Sequence, residues 1–298
     1  MKLYPRQADA QRIAFALFIF FCMTPFSYGG GGWPQPKGNG YFKLSQWWVV
    51  ADQHYTDAGL IDPNITNALY NTNFYGEYGI SDRLTTIVYF PFFSRNVINN
   101  QISGTTGEII KEGEALNALG DPEIGLKYGL TKPGSKFAVS ASIKLGLPVG
   151  TTSGGTENNL QTGDGEFNQL FQMDIGTSFG SSELPIYSNL YFGINNRTND
   201  FSDEVRFGLE IGIGLIQRKL WFIGKIQGIR SLKNGKLASE INSTSIFANN
   251  AEVITAGGEI NYYLAEKIGV SVGLAAPLSG KIIFAAPAYN VGVFYDLK

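Results

Sequence analysis

The chain has 298 residues and a formal net charge of −2, so its charge gives no indication of a nucleic-acid partner. Charged residues make up 16% of it, against roughly 25% in ordinary soluble domains, whereas aromatic residues reach 13% and glycines number 37. This composition favours a twisted all-β protein with polar loops over a helical protein.

The first segment, residues 1–29, has the pattern of a secretory signal peptide. Basic residues between Lys2 and Arg12 precede the apolar run "IAFALFIFFCM", and we expect cleavage near Gly29. The alternative is a membrane anchor, but the run is shorter than the about 20 residues that a spanning helix needs. The sole cysteine, Cys22, lies in this run, so the mature chain would have no thiol for a disulfide, a nucleophile or a metal site.

The rest of the chain alternates apolar and polar residues with the period of a β-strand. Residues 30–40 are rich in glycine and proline and are predicted to form a flexible leader, so residues 41–298 are assigned to the folded domain. Twelve segments are predicted as strands: 41–54, 68–80, 83–94, 121–131, 136–147, 166–180, 186–196, 203–216, 220–231, 252–264, 267–277 and 283–297.

The connections between these segments alternate in length. Every second connection is short, as in "ISDR", "QRK" and "AEK". The long connections are 55–67, 95–120, 148–165 and 232–251. Short turns at one end and long loops at the other are typical of outer-membrane barrels. We therefore predict an all-β fold, an antiparallel transmembrane β-barrel of about 12 strands, with the short turns in the periplasm and the loops outside the cell.

The stretch "GEFNQLFQMDIGTSFG" at 165–180 indicates which face of a strand meets lipid. Met173 and Ile175 share an apolar face, and Asp174 lies on the polar one. An Arg or Lys on the lipid face near the midplane costs about 2–4 kcal/mol, so the polar face is assigned to the lumen. A soluble lipocalin-like barrel would invert this assignment, but the signal peptide and the loop pattern favour the membrane barrel. The charged residues predicted to face the lumen are Glu77, Glu123, Lys127, Lys144, Asp174, Arg206, Glu210, Lys225, Glu259 and Lys267.

The five acidic and five basic residues of this set allow two interpretations. In the first, they line a polar permeation path of mixed charge. In the second, they neutralise one another in a narrow interior, as buried charges usually do. We favour neutralisation for most of them. A barrel of about 12 strands is intermediate between barrels filled by side chains and wide porins, so we expect a modest or partly plugged passage.

Aromatic side chains on the predicted lipid face, near the short-turn end, are expected to mark a membrane–water boundary. They come from five different segments: Tyr78, Tyr128, Phe179, Tyr262 and Tyr295.

No catalytic, metal or cofactor site is predicted. His54 is the only histidine, and the residue two positions after it in "ADQHYTD" is Thr56 rather than a serine. P-loop, HExxH and CxxC patterns are missing from the sequence.

The longest connection, 95–120, contains "GEIIKEGEALNAL", in which apolar residues recur with helical spacing. An apolar stripe on an exposed loop must be buried somewhere. We predict that this segment folds into the barrel mouth and narrows the lumen.

Three motifs resemble the meta-pathway phenol-degradation family of outer-membrane proteins. The first has Gly120 and Asp121 followed by Lys127 and Tyr128, the second is Leu-Pro-x-Gly at 147–150, and the third is "GDGEF" at 163–167. The resemblance implies a barrel that passes small, often aromatic or apolar, molecules, and it implies no established catalytic residues.

We therefore expect a passive channel or transporter in the outer membrane of a Gram-negative-type bacterium, and not an enzyme. A non-conducting structural or surface-binding barrel is the alternative, and an outer-membrane enzyme is the third possibility. The expected partners are outer-membrane lipid, the barrel-assembly machinery and an unidentified small solute, with no nucleic acid.

Overall fold

Twelve long antiparallel strands form a closed β-barrel in the computed structural model, which describes residues 30–237 and 245–298. Each strand pairs with the next along the chain, and the last pairs with the first. The predicted fold class is confirmed, whereas the predicted signal peptide lies outside the described residues. The strands are β1 Gly40–Tyr55, β2 Ile61–Gly79, β3 Leu84–Ile98, β4 Glu123–Gly129, β5 Phe137–Gly146, β6 Asn168–Gly180, β7 Pro185–Asn196, β8 Glu204–Leu215, β9 Leu220–Ser231, β10 Glu252–Tyr263, β11 Ile268–Lys281 and β12 Ala288–Leu297.

Short turns join the strands at one end of the barrel, and most of the long loops lie at the other. The connection between β1 and β2 is shorter than predicted. Tyr55 pairs with Ile61, so the two strands continue past the predicted boundary and leave only residues 56–60 between them. The long loops that remain at this end are 99–122, 147–167 and 232–251.

Side chains alternate between the outer and inner faces of the barrel. On β6, Ile175 is 45% exposed while its neighbour Asp174 is 2% exposed. On β7, Leu190 and Phe192 are likewise exposed, and Asn189 is buried. The outer surface is therefore apolar and the interior polar, which is the arrangement of a barrel surrounded by lipid.

The segment 107–119 is not helical, so the prediction from its spacing is wrong. It contains the strands Ile109–Lys111 and Glu114–Ala118, and the second pairs with the part of β3 that lies beyond the first residue of β4. The upper part of β3 would otherwise expose unpaired backbone groups on that side, and the strand satisfies them. Residues 114–118 therefore extend the barrel wall, whereas Ile109–Lys111 pairs with Gln101–Ile102 in a separate hairpin, where Ile110 is 71% exposed.

The neighbouring loop 147–167 holds this extension in place. The backbone N–H of Thr156 donates a hydrogen bond of 2.6 Å to the carboxylate of Glu114. Hydrogen bonds from Thr156 also lower the pKa of Glu114. The two loops thus form one surface above β3 and β4.

Residues 30–39, predicted as a flexible leader, turn into the barrel instead of extending from it. Gln35 is buried, and Trp33 lies edge-on to Tyr187 of the inner wall with ring centroids 6.3 Å apart. The segment therefore occupies part of the lumen at the short-turn end.

In residues 30–237 and 245–298, no helix is long and apolar enough to cross a membrane.

Candidate functional site

The short-turn half of the lumen contains a cavity of about 1180 Å³. Its wall combines aromatic rings with charged groups. The rings of Tyr41 and Phe294 stack at 5.6 Å, and those of Tyr187 and Trp221 lie 5.9 Å apart. We call this cavity the lower chamber. Apolar ring faces, hydroxyl groups and charged groups therefore line a single cavity.

Four charged side chains form a chain of ion pairs across one side of the lower chamber. The Lys43 ammonium lies 2.8 Å from the Glu259 carboxylate, and Lys225 lies 3.2 Å from Glu259 and 3.4 Å from Glu210. The hydroxyl of Tyr187 donates a hydrogen bond of 2.5 Å to Glu210. Two positive and two negative charges thus balance, which is the neutralising arrangement favoured from the sequence.

A second cavity of about 370 Å³ lies further along the barrel, and we call it the upper chamber. Asn71, Asn73 and Tyr89 line it, and so does Lys43, which also lines the lower chamber. Lys43 and its partner Glu259 therefore stand at the boundary between the two chambers. Their side chains are 13% and 12% exposed, so both keep some contact with the lumen.

The connection between β9 and β10 narrows the lumen through residues 245–247, on the side opposite the short turns. Its short 3₁₀ turn, Ser245–Phe247, packs Ile246 and Phe247 against a cluster on the inner wall that contains Val49 and Leu69. Ile246 also lines the upper chamber. The predicted constriction by segment 95–120 is thus wrong, because residues 114–118 pair with β3 in the wall, Ile110 is exposed, and the inward apolar contact comes from another loop.

A second buried ion pair lies between β2 and β4. The Lys127 ammonium is 3.3 Å from the Glu77 carboxylate, and both side chains are almost fully buried. The Tyr75 hydroxyl and the Gln35 amide also donate hydrogen bonds to Glu77. The pairing offsets the cost of burying both charges, and Glu77 also lines the lower chamber.

The other predicted lumen residues lie apart from the chambers. Asp174 accepts two hydrogen bonds of 3.0 Å from the Gln172 amide, and Arg206 pairs with Glu204 at 2.8 Å near the loops. Lys267 is not in the lumen wall. β11 begins one residue later than predicted, so Lys267 lies in the turn before it and donates to the backbone carbonyl of Lys298 at 3.0 Å.

Two further predicted lumen residues, Glu123 and Lys144, are partly buried on the neighbouring strands β4 and β5. The five aromatic residues expected at the membrane boundary are between 39% and 49% exposed. Each lies among the last three residues of its strand, at the short-turn end of the barrel. They are Tyr78, Tyr128, Phe179, Tyr262 and Tyr295.

Sequence reasoning missed a cluster around Arg197, at the loop end of β7. Its guanidinium lies 2.7 Å from Glu204 and 3.2 Å from Asp164, and it also donates a hydrogen bond to Glu166. Burial raises the pKa of Glu166 to about 7, and the charge of Arg197 opposes this shift. Burial likewise raises the pKa of Asp164, and the charge of Arg197 opposes this shift without cancelling it. The cluster ties loop 147–167 to β8.

The three sequence motifs of the family resemblance meet at Asp121. Its carboxylate accepts the backbone N–H of Gly150 at 2.7 Å and that of Asp164 at 3.0 Å. A Cβ atom at Gly163 would overlap this carboxylate, so the close approach requires glycine there. The motifs therefore clasp loop 147–167 to the start of β4, and they do not line either chamber.

Nothing in the described part of the chain is arranged as a metal centre. No group of three or more His, Cys, Asp or Glu side chains there could hold a metal ion. His54 lies opposite Phe284 at the loop end of β1, and its Nδ1 has no hydrogen-bond partner among the described residues.

Comparison by sequence gives no match, either to a protein-family model or to a curated protein. By fold, the chain is similar to an outer-membrane channel from Pseudomonas putida F1, with a TM-score of 0.60, 14% identity, and 91% of this chain and 99% of that chain covered. It is also similar to the β-domain of the Bordetella autotransporter BrkA, with a TM-score of 0.50, 10% identity, and 88% and 100% covered. The Ralstonia pickettii toluene transporter TbuX gives a TM-score of 0.40 and 10% identity, with 94% and 100% covered. The first two likenesses concern the fold, and with the closed sheet they show that the chain has the architecture of an outer-membrane β-barrel.

Proposed function

We propose that this protein is an outer-membrane channel through which small solutes diffuse along the barrel lumen. The observation that carries this proposal is the pair of cavities, about 1180 and 370 Å³, that meet at Lys43. A barrel that serves only as a structural element can fill its interior with side chains, as eight-stranded barrels do. Here the interior retains polar space on both sides of Lys43.

The outer membrane of a Gram-negative-type bacterium is the proposed location, with residues 1–29 as the signal peptide and the barrel-assembly machinery as the insertion partner. The apolar outer face supports this location, because its exposed Leu, Ile and Phe side chains need lipid around them. The aromatic residues at the short-turn end support it too, since such rings favour the membrane–water boundary.

The proposed solutes are small molecules, with aromatic or apolar ones preferred. The rings of Tyr41, Tyr187 and Trp221 in the lower chamber support this preference, because an apolar ring can stack on them while its polar groups meet the nearby hydroxyls. The motif resemblance to the meta-pathway family agrees with it.

A non-conducting structural barrel is the second candidate, and one observation favours it. Two inward segments, the leader 30–39 and the turn Ser245–Phe247, occupy the lumen near its two ends. If the two segments together fill the cross-section of the barrel, solutes do not pass, and the function of the barrel lies in its exposed loops or in a structural role in the membrane.

A swelling assay on liposomes that contain the purified, folded protein separates the two candidates. The channel predicts that liposomes swell faster in neutral small solutes than protein-free liposomes do, and that the rate falls as the solute grows. Swelling at the protein-free rate for every solute, with the protein shown to be folded, would favour the structural barrel.

A further inference from the structure

The leader is fixed on one side to strands β5 and β7. The backbone N–H of Gly32 donates a hydrogen bond of 2.9 Å to the side-chain oxygen of Asn189, and both groups are buried. The Ser140 hydroxyl donates to the carbonyl of Gly31 at 3.3 Å. These bonds use side chains of the inner wall, so they need no rearrangement of the barrel strands to form or break.

On its other side the leader is fixed to β2 and β3. The backbone N–H of Gln35 donates to the Thr85 hydroxyl at 2.8 Å, and its side-chain amide donates to Glu77 at 3.3 Å. Since β3 and β5 lie on either side of β4, and β7 lies two strands further on, the leader runs across the lumen as a chord. It also forms part of the wall of the lower chamber, through Gly30, Trp33 and Pro36 among others.

The inner wall has glycines where the leader packs. A Cβ atom at Gly176 on β6 would overlap the ring of Trp33, and one at Gly129 on β4 would lie 2.7 Å from Cγ of Pro34. At Gly79 on β2, a Cβ would overlap the backbone of Gln35 and Pro36. Three different strands thus lack a side chain at the point of contact, and the wall provides a seat for this segment.

A turn connects the leader to β1. The N–H of Asn39 donates to the carbonyl of Pro36 at 3.0 Å, and Gly38 between them has φ +80° with open space around its Cα. Glycine adopts this conformation without steric cost, and it also changes conformation readily. Gly38 is therefore a suitable hinge.

We propose that residues 30–37 form a built-in plug that restricts the short-turn end of the lumen, and that solute passage increases when the plug leaves its seat by rotation about Gly38. This inference rests on the proposed channel function and adds its regulation. Trp33 in the Gly176 seat is the main attachment, because it is the largest side chain of the segment and contacts both β6 and Tyr187 of β7.

The test displaces the plug with two variants, one in the plug and one in the barrel wall. It measures single-channel conductance in planar bilayers. Trp33→Ala removes the side chain that fills the seat, and Gly176→Leu fills the seat from the wall. Both variants should conduct more than the parent protein. The matched control is Gly224→Leu, which adds the same side chain at a position of β9 with open space around it and should conduct like the parent.

A cysteine lock tests the same proposal in the opposite direction. Gln35 and Thr85 are neighbours, with the Gln35 N–H 2.8 Å from the Thr85 hydroxyl, and the mature chain would have no other cysteine, so Gln35→Cys combined with Thr85→Cys, with the disulfide verified by thiol titration, ties the leader to β3. The oxidised protein should conduct less than the parent, and reduction should restore the conductance.

The outcomes separate this inference from the channel function. If the parent conducts, and the unseated and locked proteins assemble and conduct equally well, the leader is not a plug while the channel stands. If none of the assembled proteins conducts, the plug and the channel function fail together.

Discussion

The Lys43 ammonium lies 2.8 Å from the Glu259 carboxylate, at the boundary between the two chambers of the lumen. Lys225 and Glu210 complete this cluster, which carries two positive and two negative charges. A solute that moves between the chambers passes beside Lys43. The cluster should therefore control which ions pass, although its own charges balance.

Removal of single charges from this cluster should shift ion selectivity in opposite directions. Lys43→Met leaves Lys225 against Glu210 and Glu259, a surplus of one negative charge that favours cations. Glu259→Gln leaves Lys43 and Lys225 against Glu210, which favours anions. The reversal potential across a salt gradient measures both. Shifts of the same sign, or no shift in either variant, would show that solutes pass elsewhere.

The inward turn Ser245–Phe247 should limit conductance, and the hairpin formed by Gln101–Ile102 and Ile109–Lys111 should not. Phe247→Ala removes a ring that packs against Val49 and Leu69 inside the lumen, so single-channel conductance should rise. Deletion of residues 104–107, at the tip of the hairpin outside the barrel, serves as the comparison and should leave conductance unchanged. If the deletion raises conductance and Phe247→Ala does not, the hairpin is the constriction.

Neighbouring residues on β6 should respond in opposite ways to substitution. Ile175→Arg places a cation on the lipid face, at a cost of roughly 2–4 kcal/mol near the midplane, and should reduce the fraction that folds into bilayers. Asp174→Asn keeps a hydrogen-bonding side chain inside the barrel and should fold normally. Because a shift of one residue exchanges the two faces, equal damage from both changes would contradict the assigned register.

Loss of the Asp121 clasp should loosen loop 147–167 and leave the barrel folded. Asp121→Asn retains only one acceptor oxygen for the two N–H groups of Gly150 and Asp164. A hydrogen bond to a charged group contributes about 1.5–3 kcal/mol, so local opening should become more frequent. Limited proteolysis should then cut this loop faster than in the parent.

The control for this experiment is Asp57→Asn, because the Asp57 carboxylate accepts a hydrogen bond only from the adjacent Ala58 among the described contacts. Proteolysis of loop 147–167 should be the same in this variant as in the parent. An unchanged rate in Asp121→Asn as well would mean that the Arg197 cluster alone fixes the loop.

Cysteine labelling should reveal the orientation of the barrel in the membrane. A cysteine at Ser153 in loop 147–167 should react with an impermeant reagent in whole cells, while one at Ser182 in the turn between β6 and β7 should react only after lysis. Both positions are exposed. Ser153 is preferred to Gly154, where a Cβ would lie 3.0 Å from Leu116. The reverse labelling pattern would invert the topology.

The barrel could be predicted because the apolar period of each strand depends only on local sequence. Segments such as 166–180 alternate strictly, since one face meets lipid and the other the lumen. β1 was harder to interpret, because large aromatic residues occupy both faces: Trp47 lines the upper chamber while Trp48 stacks on Tyr289 outside. For the same reason Lys43 was not recognised as a lumen residue.

The segments that occupy the lumen could not be predicted from sequence, because their positions depend on contacts between residues far apart in the chain. The seat of Trp33 requires Gly176, more than a hundred residues away, and neither residue carries a periodic signal. Phe247 belongs to a short apolar stretch without a repeat. The helical spacing in 107–119 was misleading, because the extended edge of β3 provides a strand partner that overrides a weak local preference.

Single-channel recording from the purified protein in planar bilayers, for the parent and for Trp33→Ala, tests the channel most directly. We predict discrete conductance steps in both, with larger steps in Trp33→Ala because the leader leaves the lumen. If both proteins are folded in the bilayer and neither gives steps above the bare membrane, the barrel does not conduct, and the structural alternative replaces the channel.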